Sequence, residues 1–198
     1  MILIARHGQT NWNLARRWQS RSDIPLNAMG EKQAKALADH LRDAPCKPRR
    51  LICSPLSRAK TTAQILGATL SLDIEVDDRL TELDLGEWEG KFEADLRAED
   101  SDFYDRWRSE GFLLPPPGGE SLKDVADRLK PLVADIQAFP GDVLIVGHQG
   151  ANMAFKAVLT GCFSAACLDG FRQDNDEIDI WELSPARSVR KIKATVDP

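Results

Sequence analysis

Apolar runs that stop abruptly at polar, glycine-bearing turns set the pattern of this chain. Met1-Ile2-Leu3-Ile4-Ala5 has the length and β-branched content of a buried strand, and it breaks on Arg6-His7-Gly8. Two further stretches repeat the pattern. Arg50 to Ser54 leads into Ser54-Pro55-Leu56-Ser57-Arg58-Ala59, and Val143 to Gly147 leads into His148-Gln149-Gly150. A short strand is predicted over Asp73 to Val76. Between these runs the period changes to that of a helix. Behind Asn27 as N-cap, Ala34, Leu37, Ala38 and Leu41 share one face up to Asp43, and Ala59, Ala63, Leu66 and Leu70 share another. Ser121 to Phe139 is the strongest helix, opened by a Ser-x-x-Asp capping box and striped with Leu122, Val125, Ala126, Leu129, Val133 and Ile136. Pro131 is expected to kink it. A helix over Ala151 to Thr160 follows the Val143 strand directly. Ile178 to Leu183 alternates like an edge or antiparallel strand, and Val189 to Val196 is expected to add another.

The stretch from about Lys91 to Gly119 breaks this regularity. It reads as short helical pieces with Phe92, Phe103, Tyr104, Trp107 and Phe112, closing on Pro115-Pro116-Pro117-Gly118-Gly119. We read it as an insertion of the single 1–198 domain, lying as a lid over the strand ends. Its aromatics either offer surface to a bulky or aromatic ligand or pack the segment onto the core. Its cations are few: Lys91, Arg97, Arg106 and Arg108.

Composition bounds the rest. A chain of 198 residues with 42% hydrophobic and 29% charged residues can close one sizeable core and gives no sign of disorder. The net charge of −5 excludes nucleic-acid binding through an overall positive field, so an anion site must be a local cluster of arginines. Cys46, Cys53, Cys162 and Cys167 form no C-x-x-C pair, have no histidine at metal-ligand spacing, and read as reduced packing residues. With neither a leader nor an apolar run of about 18 residues, the expected location is cytoplasmic, away from membranes.

The polar turns then become the candidate chemistry. In open α/β sheets ligands bind at the C-terminal ends of the strands, which is where Arg6, His7 and His148 are delivered. Arg6 offers a cationic fork for a phosphate or carboxylate; His7 offers a nitrogen neutral enough near pH 7 to act as a nucleophile. Arg58 stands in a helix's first turn, where the helix dipole disfavours a cation unless an anion is bound nearby. Asn13, Arg16, Arg17, Gln19 and Arg21, interleaved with Trp12 and Trp18, follow the first turn. Glu82 lies in a carboxylate-rich loop, Thr81 to Gly90. Two histidines and two arginines at one sheet edge suit a phosphoryl group: one nitrogen attacks while the cations spread charge on the oxygens.

On these residues the sequence resembles the histidine phosphatase superfamily, the phosphoglycerate mutase-like proteins. Arg6-His7-Gly8-Gln9-Thr10 with Trp12-Asn13 looks like its opening motif, and Ser54 to Ala59 with Thr61-Thr62-Ala63 like its second block. Glu82-Leu83 with Gly86 to Gly90 is similar to its acid loop, Gly118-Gly119-Glu120-Ser121 to the start of its long helix, and Val146-Gly147-His148 to its last block. The resemblance covers nearly the whole chain. It implies a three-layer αβα fold, a mostly parallel sheet with helices on both faces. It also implies a metal-independent phosphomonoesterase with a phosphohistidine intermediate. His7 would be the nucleophile, Arg6, Arg58 and His148 would hold the phosphoryl oxygens, and Glu82 would donate the proton to the leaving group. Asn13, Gln19 and Gln149 would contact phosphate or substrate.

Alternatives are a cofactor-dependent phosphoglycerate mutase, or the α-ribazole phosphatase of cobalamin synthesis as the specific activity. The implied partners are a small phosphate ester and inorganic phosphate as product, with no cofactor, no metal, no nucleic acid, no membrane, and room for a homodimer. Two positions depart from the family pattern: Ser20 and Gln149 each stand where a glycine is frequent. His40 matches nothing and is read as a solvent-facing, inert residue.

Overall fold

A computed structural model describes residues 1–194 and 196. Its centre is a six-stranded sheet in the order β3-β2-β4-β1-β5-β6. The strands are β1 (Ile2–Arg6), β2 (Pro48–Cys53), β3 (Ile74–Val76), β4 (Asp142–Gly147), β5 (Glu177–Leu183) and β6 (Ala186–Lys193). The first four are mutually parallel; β5 runs antiparallel to β1, and β6 antiparallel to β5. Because side chains alternate across a strand, β1 feeds two cores. Ile2 and Ile4 join Val143, Ile145 and Ile52 on one face, while Leu3 and Ala5 join Leu144, Val146 and Leu51 on the other.

Helices cover both faces, following a short α1 (Asn11–Leu14) in the turn after β1. α2 (Ala28–Arg42) and α3 (Ser57–Leu70) cover one with Leu37, Leu41, Ala59, Ala63 and Leu66; α6 (Leu122–Ala138) and α7 (Gln149–Thr160) cover the other with Val125, Leu129, Val133, Met153 and Phe155. The expected caps are present. Asn27 accepts from the Gly30 N–H at 2.8 Å, and Ser121 and Asp124 form the reciprocal capping box. α6 runs unbroken through Pro131. Both Pro131 and Asp127, whose carbonyl the proline leaves without its N–H partner, are exposed to solvent.

Several expectations are corrected. β5 is antiparallel but interior, flanked by β1 and β6, and its first five residues are all buried. Asp179 accepts from the buried Lys156 of α7, whose Nζ also donates to the Phe171 carbonyl at 2.9 Å. The last strand begins at Ala186 and ends at Lys193, so the Val189 to Val196 expectation is displaced, and Thr195 lies outside the described residues. Cys46 and Cys53 are buried free thiols, but Cys162 and Cys167 are joined as a disulfide rather than reduced. After α7 the left-handed Gly161 reverses the chain and Ser164 caps α8 (Ala165–Gly170), which brings the two Cα atoms to 6.2 Å.

The 91–119 segment folds as α4 (Glu93–Glu99) and α5 (Ser101–Ser109). Of its aromatics, Tyr104, Trp107 and Phe112 are fully buried, stacked on Trp18 and Trp88 and continuous with the α6 core. Packing onto the core is therefore what most of them do; Phe92 alone of the five is largely exposed. Among the described residues, no helix is long and apolar enough to cross a membrane.

Candidate active site

Strand register brings the key groups together. In the parallel pair β1 and β4, Arg6 lies opposite Gly147, and the His7 N–H donates to the Gly147 carbonyl at 3.0 Å. The residues that follow, His7 and His148, therefore emerge side by side, with ring centroids 5.1 Å apart. One strand over, Ser54 N–H reaches the Val146 carbonyl, and Ser54 Oγ meets His148 Nε2 at 2.7 Å. Gly8 lets the turn pass against α2. A Cβ there would lie 2.3 Å from the Gly30 carbonyl oxygen, so no side chain fits.

These strand ends open into a cavity of about 420 Å³ lined by Arg6, His7, Asn13, Gln19, Arg58, Glu82 and Gln149. His148 is not on the wall; it sits fully buried behind His7. The proton on His7 is fixed by its partner. Nδ1 is 2.7 Å from the Gly8 carbonyl oxygen, which can only accept, so Nδ1 carries the hydrogen and Nε2 keeps its lone pair. Burial holds His7 well below the ordinary histidine pKa, with Arg58 and Arg6 adding to the effect. Burial likewise lowers His148, again reinforced by Arg58.

The two cations are anchored by carbonyls rather than carboxylates. Arg58 donates from Nη1 to Ser22 O at 2.7 Å and from Nη2 to Ser20 O at 2.8 Å; Arg6 donates from Nη1 to Gln173 O at 2.7 Å. Both Nε atoms and His148 Nδ1 are buried without a protein partner. The two arginine N–H donors call for an anion, since an unmet buried donor costs about 1–3 kcal/mol, more when charged. Burial lowers the Arg58 guanidinium to about 10, which leaves it charged at neutral pH. Asn13 and Gln19 each use the side-chain oxygen on Thr10, leaving an NH2 group for a ligand.

Glu82 is held at the N-terminus of α7. Its Oε1 accepts from Leu83 N–H at 2.7 Å and Ala151 N–H at 3.0 Å, and its Oε2 accepts from Gly150 N–H at 3.2 Å. A carboxylate has about four acceptor directions, so one remains, on Oε2. A Cβ on Gly150 would meet Glu82 Oε1 at 2.7 Å, so the close approach requires that glycine. Arg128 of α6 fixes the loop from behind by donating to the Thr81 and Glu82 carbonyls.

The two departures are accommodated. Ser20 adopts the left-handed conformation that a glycine would adopt freely, with φ of 49°. Its hydroxyl donates to Leu83 O and accepts from Leu85 N–H. Gln149 accepts from the Gln173 N–H at 3.2 Å. His40 is exposed, as expected.

Sequence reasoning missed the 173–175 turn. Gln173 holds Arg6 and reaches Ile4 O, Asn175 donates to His7 O at 2.8 Å, and Asn152 ties Ala5 O to Gln173. The one visible signal was an unbroken polar run, Arg172 to Asp176, ahead of an apolar strand. Arg108 and Arg172 also line the cavity, from the end of α5 and the turn after α8. Among the described residues, no group of three or more His, Cys, Asp or Glu side chains is placed to hold a metal.

Comparison with known proteins agrees with this fold. The family model described as histidine phosphatase superfamily (branch 1) matches residues 2–194. The chain belongs to that superfamily. A glucosyl-3-phosphoglycerate phosphatase of Mycobacterium tuberculosis is 36% identical over 168 residues, covering 80% of this chain and 74% of the relative. A Proteus mirabilis protein named "probable phosphoglycerate mutase" is 35% identical over 171 residues, covering 84% and 74%. Among solved structures, mycobacterial glucosyl-3-phosphoglycerate phosphatase in complex with VO3 superposes with a TM-score of 0.86 at 32% identity, covering 97% of this chain and 96% of that one. The three-layer α/β architecture of this superfamily is thus the architecture of this chain.

Proposed function

We propose that this protein hydrolyses small organic phosphate monoesters through a phosphohistidine on His7, with no metal ion. The observation that carries the reading is the His7 tautomer: Nδ1–H bound to Gly8 O leaves an unprotonated Nε2 in a cavity walled by Arg6 and Arg58. Nε2 attacks phosphorus, the P–N bond forms as the P–O bond breaks, and the leaving oxygen takes a proton from Glu82. Water then attacks the phosphohistidine and gives its proton to Glu82, which restores the acid and releases inorganic phosphate. Arg6 and Arg58 supply the positive charge that spreads over the oxygens, and neutral His148, whose Nδ1 has no protein partner, adds a hydrogen bond to them. The 91–119 segment serves as the lid of this domain. The family relatives named as phosphatases support hydrolysis.

The Proteus relative keeps a mutase as the second reading. A mutase must shield its phosphohistidine from water while the substrate turns over in place. The test is incubation with 3-phosphoglycerate and a bisphosphoglycerate primer in the presence of EDTA, following both 2-phosphoglycerate and free phosphate. α-Ribazole 5′-phosphate and other monoesters are assayed alongside for phosphate release. Hydrolysis predicts phosphate from one or more of these esters with no faster isomerisation. Isomer formed much faster than phosphate, or a rate that EDTA abolishes and a divalent ion restores, overturns the reading.

A further inference from the structure

Among the described residues, Lys156 is the one lysine that the fold hides from solvent, and the cavity does not use it. Its Nζ, in the second half of α7, donates to Asp179 of β5 and, at 2.9 Å, to the Phe171 carbonyl. Asp179 lies opposite Ile4 in the pairing of β5 with β1. Facing the pair are Lys191 of β6, 3.7 Å from Asp179, and Glu177 of β5, which Lys191 reaches at 2.9 Å. Burial lowers the Lys156 ammonium to about 8 while Asp179 opposes the fall, so it is charged at neutral pH. An ion pair is a poor way to fill a core, because desolvation consumes most of its attraction and apolar residues of like volume commonly stabilise as well. What apolar residues cannot do is bond a carbonyl.

Phe171 opens the turn that serves the inner end of the cavity. Two residues on, the Gln173 carbonyl accepts from Arg6 Nη1 at 2.7 Å, and Asn175 donates to the His7 carbonyl at 2.8 Å. The helix ahead of the turn anchors it weakly, since α8 has six residues and only Leu168 among them is buried. The Gln173 side chain is fixed by Ile4 O at 2.8 Å and by Asn152 at 2.9 Å, whereas Lys156 fixes the main chain where the turn begins. Asn152 and Lys156 are four residues apart, on one face of α7, so that helix grips the turn at two points.

We infer that Lys156 is a positioning residue for Arg6: by tying the Phe171 carbonyl to α7 it places the Gln173 carbonyl that aims the Arg6 guanidinium at the phosphoryl group. The inference rests on the phosphatase reading for its relevance to turnover, so it is tested first by calorimetry with inorganic phosphate at pH 7. Lys156→Met combined with Asp179→Leu removes the tie and leaves an apolar pair in the core; it should bind phosphate about tenfold more weakly, the loss that one hydrogen bond to a charged group entails. Asp179→Asn keeps the bond from Lys156 to Phe171 and should bind within about twofold of the unaltered protein. In an Arg6→Lys background, where a single ammonium cannot span carbonyl and phosphate as a fork does, the apolar pair should cost less than about twofold. If the apolar pair does not fold, Lys156→Met alone, in which Lys191 still faces Asp179, takes its place. Unchanged affinity overturns the inference, as does an equal loss in both backgrounds or an Asp179→Asn loss as large as that of the apolar pair. In turnover the loss should be even between alkyl phosphates and p-nitrophenyl phosphate, because Arg6 acts on the phosphoryl group. A loss concentrated on alkyl phosphates would trace to Glu82 at the α7 N-terminus and overturn it too. Failure of the phosphatase reading looks different: no ester releases phosphate, while the pattern of phosphate affinities stands.

Discussion

The two ends of the cavity are built by different means. At the inner end, His7 and His148 stand one step beyond the last paired residues of two parallel strands, Arg6 and Gly147, and Arg58 in the first turn of the helix that follows a third. Backbone ladders fix these positions, and His7, Arg58 and His148 are each at most 3% exposed. At the outer end, Arg108, Phe112 and Arg172 come from the end of a nine-residue helix, the turn after it and the turn after a six-residue helix. Side-chain packing and cation–aromatic stacking hold them, and both guanidinium groups remain partly exposed. A rigid, dry inner end suits the group that every phosphate ester shares. An outer end made of short helices suits the part of the ligand that differs, because short elements with few ladder bonds adjust at small cost.

The comparison is tested most severely at the inner end. His7→Ala should lower turnover by on the order of 10⁴–10⁶-fold for every ester, as loss of a covalent nucleophile does. The fold should persist by circular dichroism, and phosphate trapped on the unaltered protein should be labile in acid and stable in base. Trapped phosphate on a serine or aspartate would remove the inner end from its role. Glu82→Gln should cost less and cost it unevenly. A general acid contributes about 10²–10⁴-fold, and most where the leaving alkoxide is poor. Alkyl phosphates should therefore slow far more than p-nitrophenyl phosphate; equal losses would make Glu82 a loop anchor, held by the α7 N–H groups for structure alone.

The same contrast explains what could be read from the sequence. The inner end was legible because its residues sit at strand ends, where an apolar run stopping on Arg6-His7-Gly8 or Gly147-His148 marks both the element and the exposed group. Sheet order then does the rest, since parallel neighbours bring such stops to one edge. Glu82 was legible only through resemblance, because one acid among many in a loop carries no periodic signal. The outer end was illegible. Nothing in the spacing of Arg108 and Arg172 shows that α5 and the turn after α8 meet, and the same aromatics could as well have faced solvent. Gln173 and Asn175 were missed for a similar reason: their work is done through backbone carbonyls of distant residues, Ile4 and His7, which no local pattern encodes. The disulfide escaped notice because Cys162 and Cys167 are brought together by one left-handed glycine and a serine cap.

The buried histidines also give the inner end a signature in stability. Burial lowers the pKa of His7 and His148 in the folded protein, whereas in the unfolded chain each titrates near 6.5. Below that value the unfolded chain takes up protons that the folded one refuses, so stability falls as pH falls toward the depressed values. For two such groups the loss is roughly 2 kcal/mol between pH 6.5 and 5.5. This window lies above the range in which the lowered carboxylates, Asp77 and Glu75 among them, begin to matter. Denaturant titrations at the two pH values measure it, and added inorganic phosphate should offset part of the loss by binding the folded form. A flat profile would mean that the inner end is wetter than its burial shows.

Ser20 offers the finest test, because it joins Arg58 to the loop that carries Glu82. Its carbonyl accepts from Arg58 Nη2, and its hydroxyl accepts from Leu85 N–H at 2.9 Å and donates to Leu83 O at 3.2 Å. The left-handed backbone costs a residue with a Cβ about 1–2 kcal/mol. Each hydroxyl bond returns about 1 kcal/mol, so strain and bonding nearly cancel. Ser20→Gly removes both and should leave stability within about 1 kcal/mol of the unaltered protein. Ser20→Ala loses the same bonds and strands the same Leu85 N–H but keeps the strain, so it should be the less stable of the two by about 1–2 kcal/mol. Urea unfolding of the pair decides the matter. If glycine instead proves more stable than serine by the full strain of about 1–2 kcal/mol, the hydroxyl bonds hold nothing, and the Glu82 loop is positioned by Arg128 and the α7 N-terminus without help from Ser20.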